Sequence, residues 1–270
     1  MEALKVGRHL FRVVAKTYKT PHYISIQLEG AGAGEFAQCT LGANNKIFLH
    51  PDLDRHRITA EVMPDWLAFY GDEKPVVRTY THRAIDVARN LITIDFVFHG
   101  DEGPAAHWAH KAAPGDLLGV AMKLKSAPLV PESDSYLLIG DATAIPVLSC
   151  ILESLPVTAK GKCILEVATV ADIHTDMKHE GIEIEWLINP HPEQGSMLAA
   201  EAKKVVLAAG TDTFAYVAAE YRTVKELRWY FREELGWDAK RFYAYSYWKA
   251  GMAEDQSVSD RQAEKRSGEE

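Results

Sequence analysis

Four side chains between residues 78 and 83 could do chemistry together: Arg78, Tyr80, Thr81 and Arg83, in the run Arg-Thr-Tyr-Thr-His-Arg. A guanidinium meets phosphate with a planar fork of charged donors. A tyrosine ring offers a flat face to an aromatic ring system and a polar tip beside it. A threonine hydroxyl can bond a ring nitrogen. On a strand, Arg78 and Tyr80 project to one side and Thr81 and Arg83 to the other. The same residues would also suit an ordinary exposed strand, and the pattern alone leaves both readings open.

Two further stretches carry chemistry. His99-Gly100-Asp101-Glu102-Gly103-Pro104-Ala105-Ala106-His107-Trp108 contains two turn glycines and a proline suited to the first position of a helix. Free amides at such a helix start favour a pyrophosphate, and two alanines let a ligand approach the backbone. A plain strand-turn-helix connection is the competing reading. Gly140-Asp141-Ala142-Thr143-Ala144-Ile145-Pro146 follows an apolar strand and opens a helix, which is where open α/β sheets bind ligands. It is not the GxGxxG fingerprint, and Asp141 and Thr143 would equally serve as a helix cap.

The elements that must position these residues change character near residue 130. Before it, short β-like runs alternate with Gly, Pro, Asn and Asp clusters. Strands are predicted at 9–15, 23–28, 46–50, 76–85, 91–98 and 116–122, with turns at 31–36 and 42–45. In 91–98, Ile92, Ile94, Phe96 and Phe98 share one face by strict alternation. Six strands at this spacing predict a six-stranded antiparallel β-barrel over residues 1–128. A polar segment with two prolines (126–134) reads as a linker. Beyond it, strands at 136–140, 163–170, 182–188, 214–220 and 241–248 are separated by helical stripes. One stripe is Ile145, Leu148, Ile151, Leu152 and Leu155; a second helix spans about 196–207; a third carries Val224, Leu227, Phe231 and Leu235 and stops at Gly236. This predicts a Rossmann-like α/β domain with a parallel sheet over residues 129–250. Residues 251–270 hold six acids and three bases without apolar periodicity and read as a charged tail.

In this order and spacing, R-x-Y-T-x-R, H-G-x-x-G-P-A-x-x-W and G-D-x-T-A-x-P resemble the siderophore-interacting protein family, FAD-dependent ferric-siderophore reductases of the ferredoxin-NADP reductase superfamily. The resemblance covers roughly residues 5–251, ending on Tyr247-Trp248-Lys249-Ala250-Gly251, where the family often has Gly-Tyr-Trp-Arg-x-Gly. It implies a first domain that holds FAD and a second that binds NAD(P)H. Arg78, Tyr80, Thr81 and Arg83 would contact the flavin and its phosphates. His99, Gly103, Pro104, Ala105 and Trp108 would frame the phosphate and ribityl region. Asp141, Thr143 and Ala144 would border the cofactor from the second domain. Flavin performs the redox step, so no side chain is assigned a catalytic role. Electrons would come from NAD(P)H, with ferredoxin as an alternative partner, and the ferric siderophore would release Fe(II).

Ferric siderophores are frequently anionic, so a cationic pocket is expected despite the net charge of −8. Lys123, Lys125, Lys249 and Arg241 are the candidates, each equally at home on a solvated surface. Glu220 and Asp172 belong to the nicotinamide side. An acid at Asp172, near the adenosine ribose in related folds, would repel a 2′-phosphate and favour NADH. Two departures from the family stand out. Tyr216-Val217-Ala218-Ala219-Glu220 replaces the usual Trp-x-Ala-Gly-Glu, and the loss of that glycine would narrow the nicotinamide approach. Ala121-Met122-Lys123-Leu124-Lys125 replaces Gly-Pro-x-Gly.

Composition excludes some classes. At 47% hydrophobic and 25% charged the chain is an ordinary globular protein. The acidic balance argues against nucleic-acid binding. No apolar run spans a membrane, and residues 1–14 lack a secretory pattern, so a cytoplasmic location is expected. Cys39, Cys150 and Cys163 are scattered and give no disulfide framework or metal pair; Cys150 and Cys163 belong to the core. His107 and His110 share a helix face near His99, but no acid or cysteine completes a metal-ligand spacing. No G-x-S-x-G elbow is present. A general flavin or quinone reductase and a non-catalytic ferric-chelate carrier are the rival functions.

Overall fold

A computed structural model describes residues 5–51, 65–98, 100, 103–207 and 210–252. The chain divides into two compact units, Met1–Leu129 and Val130–Glu270.

The first unit contains β1 (Val6–Thr20), β2 (Tyr23–Glu29), α1 (Ala33–Phe36), β3 (Asn44–Leu49), α2 (Trp66–Tyr70), β4 (Val76–Thr81), β5 (Ala84–Asp86), β6 (Leu91–Val97), α3 (Pro104–Lys111) and β7 (Leu117–Lys123). Its antiparallel sheet has seven strands in the order β4-β3-β7-β1-β2-β6-β5. The two edge strands are consecutive in sequence and joined only by His82 and Arg83, so the sheet curls back towards closure. The expected antiparallel barrel-like domain is therefore present, with seven strands among the described residues in place of six. The extra strand arises where the predicted run 76–85 breaks at His82, whose ring is fully buried. β1 is longer than its apolar centre suggests because it serves two ladders. Val6–Arg12 pair with β7 and Arg12–Thr20 with β2, with irregularities near Val13 and Tyr18 that let one strand turn a barrel corner.

Alternation decides what fills this sheet. Ile92, Ile94 and Phe96 of β6 face inward with Ile24, Ile26 and Leu28 of β2 and with Phe11. The segment 31–36, expected as a turn, contains α1, and its Phe36 stacks on Phe11 at 5.7 Å between ring centroids. Trp108 of α3 enters the same core against Phe96, also at 5.7 Å. Burying such an aromatic contributes about 2–3 kcal/mol, which fixes the helix that Pro104 begins.

The second unit contains β8 (Ser135–Asp141), α4 (Ile145–Ser154), β9 (Lys160–Val167), β10 (Ile182–Ile188), α5 (Leu198–Lys203), β11 (Thr213–Glu220), α6 (Tyr221–Trp229) and β12 (Phe242–Trp248). All its ladders are parallel, in the order β10-β9-β8-β11-β12. The predicted parallel α/β domain is thus observed. Leu137, Ile139, Ala215, Val217 and Ala219 pack on α5 and α6. On the opposite face Gly140 lies so close to Ala144 and Leu148 that a Cβ there would overlap them. The chain leaves β8 first to one side, through β9 and β10, and then to the other, through β11 and β12. The switch point therefore lies between the carboxyl ends of β8 and β11, where such sheets bind ligands. α6 runs into a π-turn at Tyr230–Glu234 before Gly236. Among the described residues no helix is long and apolar enough to cross a membrane.

Candidate functional site

In the first unit the candidate residues cluster on β4, its link to β5, and the start of α3. Arg78 is half-buried and donates from Nη1 to the Val77 carbonyl at 2.8 Å. Tyr80 is half-buried, with its ring tilted on Phe96 at 4.5 Å, so one side of it completes the core. Thr81 is buried. Arg83 lies beyond the end of β4, and strand alternation no longer applies to it. Its Nε is 3.8 Å from Asp95 Oδ2, which also accepts from Tyr23 Oη at 2.9 Å. Asp95 is almost fully buried, with the Arg83 cation and the Tyr23 phenol both at its Oδ2. In return it fixes the Arg83 guanidinium. Asp95 escapes sequence reasoning, although an acid inside the apolar run Leu-Ile-Thr-Ile-Asp-Phe-Val is a legible anomaly.

His82, between Thr81 and Arg83, is wholly buried, and among the described residues no hydrogen-bond partner reaches either ring nitrogen. Burial lowers its pKa from 6.5 to about 4, so it is neutral near pH 7.

Gly103 caps α3 with φ 103°, a conformation that favours glycine. Pro104 has no N–H, and among the described residues no side chain caps the first turn and nothing lies within 4 Å of a Cβ on Gly103. The amides of Ala105 and Ala106 lie in this turn, where backbone N–H groups lack intrahelical partners. Trp108, expected to frame a ligand, is 1% exposed and anchors the helix in the core. His99 lies outside the described residues. His110 stacks on Phe98 at 4.6 Å and shares a hydrogen bond with Tyr18 Oη at 2.8 Å. Lys123 and Lys125 are exposed at and just beyond the end of β7.

In the second unit, Asp141 ends β8. Its Oδ1 accepts from Thr143 N at 2.9 Å and Thr143 Oγ1 at 2.5 Å; its Oδ2 accepts from Trp248 Nε1 at 2.7 Å. Burial raises its pKa above the usual carboxylate value, against the opposing pull of the Thr143 and Trp248 bonds. The capping reading of Asp141 and Thr143 is therefore the one the geometry supports. Ala144 is fully buried against Gly140. Asp172 closes a capping box, accepting from Thr169 N at 3.1 Å and Thr169 Oγ1 at 2.6 Å, and is buried. Glu220 ends β11; its Oε2 accepts from Arg222 N at 2.5 Å and its Oε1 from Ala250 N at 3.2 Å. Lys249 Nζ sits 4.6 Å from the centroid of the Tyr221 ring.

Two expectations are corrected here. Ala219 is fully buried among the residues facing α5 and α6, so its methyl group packs inside and narrows no ligand approach. Arg241 precedes β12 while Lys249 follows it, and its guanidinium stacks on Trp237 at 4.3 Å. Eight residue steps at roughly 3.3 Å each put the two backbone positions about 26 Å apart at opposite ends of β12, so they line no common pocket.

The comparisons agree with this division. A family model described as siderophore-interacting FAD-binding domain matches residues 12–122, and one described as siderophore-interacting protein matches residues 133–251. The chain is 30% identical over 255 residues to ferric vibriobactin reductase ViuB of Vibrio cholerae, covering 94% of each. It superposes on the siderophore-interacting protein SipS of Aeromonas hydrophila with a TM-score of 0.79 at 27% identity, covering 96% of this chain and 98% of that one. A ferredoxin NADP+ reductase from Neisseria gonorrhoeae with bound FAD and NADP shares the fold alone, with a TM-score of 0.61 at 10% identity and coverage of 89% and 98%. With both units matched and a relative aligned nearly end to end, the chain belongs to the siderophore-interacting protein family, FAD-binding domain included.

Proposed function

We propose that this protein is an FAD-dependent reductase of ferric siderophores, fed by a reduced nicotinamide and releasing ferrous iron. The observation that carries this reading is the near end-to-end similarity to ferric vibriobactin reductase. The residues of the first unit suit an FAD. The first turn of α3, with its positive-φ glycine and no side-chain cap among the described residues, suits a pyrophosphate. Arg78 and Arg83 add cationic forks for the same phosphates, Arg83 being oriented through Asp95. The outer face of Tyr80 offers a stacking surface, and Thr81 closes the strand end behind it. Bound FAD supplies the relay between a two-electron nicotinamide and a one-electron ferric centre.

The rest follows from charge and hardness. Iron(III) is a harder acid than iron(II), so an oxygen chelator loosens its hold when the metal is reduced. Lys123 and Lys125 at the end of β7, and Lys249 after β12, attract an anionic chelate locally although the whole chain is acidic. NADH is favoured over NADPH because Asp172 puts negative charge at the carboxyl end of β9. A ferredoxin is the alternative donor.

An absorbance spectrum of the purified protein tests the reading. It requires a bound FAD band, anaerobic bleaching by NADH, and recovery on adding a ferric siderophore. Recovery with a quinone but not with any ferric chelate would reassign the protein as a general flavoprotein reductase. A colourless protein that binds the chelate without added FAD being retained would make it a carrier.

A further inference from the structure

Four tyrosines of β11 and β12 meet on one face of the second sheet. Ala215, Val217 and Ala219 of β11 and Phe242 and Ala244 of β12 pack towards α5 and α6, so strand alternation turns Tyr216, Tyr243 and Tyr245 to the opposite face. Tyr247 joins them through a hydrogen bond between its phenol and that of Tyr216. Tyr216 stacks on Tyr243 at 4.7 Å between ring centroids, and Tyr243 lies 6.3 Å from Tyr245 with the planes 27° apart. On the α5–α6 face of the same two strands, plain apolar side chains fill the core. A buried phenol brings a hydroxyl that needs a partner, so packing alone does not call for this row. The row has two ends. At the carboxyl end of the sheet, Trp248 follows Tyr247 and donates from Nε1 to Asp141 Oδ2 at 2.7 Å. Tyr247 feels the same carboxylate: burial, with the Asp141 charge added and against the Tyr216 bond, pushes its phenol up to about 12. At the amino end, Tyr243 is 36% exposed, and β12 is an edge strand. Indole and phenol rings give up single electrons more readily than other side chains without sulfur, and electron tunnelling falls off exponentially with distance. Rings that follow one another from a ligand-binding edge to solvent therefore make a path for an electron.

We propose that Trp248, Tyr247, Tyr216 and Tyr243 form a one-electron escape path that carries oxidising equivalents from the carboxyl edge of the second sheet to solvent. This rests on the reductase reading above, because ferrous iron released beside that edge reduces hydrogen peroxide to hydroxide and a hydroxyl radical, itself returning to iron(III). The radical takes one electron from the Trp248 indole and becomes hydroxide. The indole proton moves along its bond to Asp141 and returns when Tyr247 refills the ring. Tyr247 is refilled by Tyr216, and Tyr216 by Tyr243, the inner phenols keeping their protons within the hydrogen bond they share. Tyr243 gives its proton to water and is left as a neutral phenoxyl radical. A small-molecule thiol in solution returns a hydrogen atom to it and becomes a thiyl radical, two of which couple to a disulfide. The oxidising equivalent thus ends on an expendable thiol and not on the side chains around the substrate.

The experiment is turnover of the FAD-loaded full chain with NADH, a ferric tris-catecholate and hydrogen peroxide, followed by freeze-quench electron paramagnetic resonance and by peptide mapping of oxidised residues. The parent is expected to give a tyrosyl signal that glutathione quenches, oxidation at Tyr243, and a spared Trp248. Trp229 and Tyr18 are exposed and off the path, so they report radicals that attack from solution. Tyr216→Phe keeps the ring and its stack but removes the oxidisable phenol. It should lower the tyrosyl signal several-fold and raise oxidation of Trp248 several-fold, with iron reduction and the damage at Trp229 and Tyr18 unchanged. Tyr247→Phe should do the same, and the double variant should match either single one, because links in series fail together. Tyr245→Phe alters the same face outside the path and should leave both readouts at the parental level. Parental damage at Trp248 in Tyr216→Phe overturns the proposal, as does a rise shared equally by Trp229. An equal effect in Tyr245→Phe assigns the change to loosened packing and overturns it too. If the parent reduces no ferric complex, the reductase reading fails, and the same mapping after direct addition of ferrous ion and peroxide judges the path by itself.

Discussion

At the scale of single residues, two neighbours in the β4–β5 link make separable predictions. Arg83 is held by Asp95, so Arg83→Ala should weaken FAD binding at least tenfold, with retention measured by fluorescence titration of the apoprotein. Asp95→Asn should weaken it less, since an amide can still orient the guanidinium. If both variants keep parental affinity, these residues do not hold the cofactor. His82 concerns stability. Its folded-state pKa of about 4 lies below its ordinary 6.5, so the neutral form is the one folding prefers. That contribution is whole above pH 6.5, is lost as pH falls towards 4, and amounts to about 3 kcal/mol across the window. Urea unfolding at pH 7.5, 5.5 and 4.5 should show a shallower acid decline for His82→Leu than for the parent; parallel curves would contradict the burial argument.

At the scale of elements, Gly103 gives the sharpest prediction. Its φ of 103° strains any other residue, so Gly103→Ala should cost about 1–2 kcal/mol of stability and displace the first turn of α3. FAD affinity should fall while the melting point of the second unit stays put, which calorimetry reads directly. Strands were the most legible part of the sequence, because alternation in β6 and a continuous apolar run in β8 leave no other burial pattern. α1 was hidden by its glycines, and its Phe36 is explained only by the stack on Phe11. The break between β4 and β5 was hidden because a buried histidine looks like any polar strand residue. The candidate site was legible as motifs but not as roles. Arg83 points to Asp95 across a ladder, and Asp141 bonds Trp248 from 107 residues away; no local spacing encodes either contact. Trp108 and Ala144 match the motif, and both are buried in the packing.

At the scale of the whole molecule, charge is distributed unevenly relative to function. The chain carries a net −8, while the cations proposed to meet the substrate follow β7 and β12. Local attraction must therefore overcome distant repulsion, and the two are screened differently. Going from about 0.01 M to about 0.15 M salt shortens the screening length from about 30 Å to about 8 Å. KM for an anionic ferric complex should rise over that range if the nearby lysines dominate and fall if the overall charge does. Stopped-flow rates with NADH and NADPH, in the same buffers, test donor choice; a strong NADPH preference would refute the role given to Asp172.

The two-residue join between β4 and β5 has one more consequence. It is both the seam at which the curled sheet nearly meets itself and the seat of Arg83. Any length change there would shift β5 against β6 and carry the guanidinium off its carboxylate in the same stroke. Insertions and deletions should thus be barred from this spot, whereas the exposed stretch at 71–74 should absorb them freely; a scan of single-alanine insertions, scored by yellow colour of the purified products, would map the contrast.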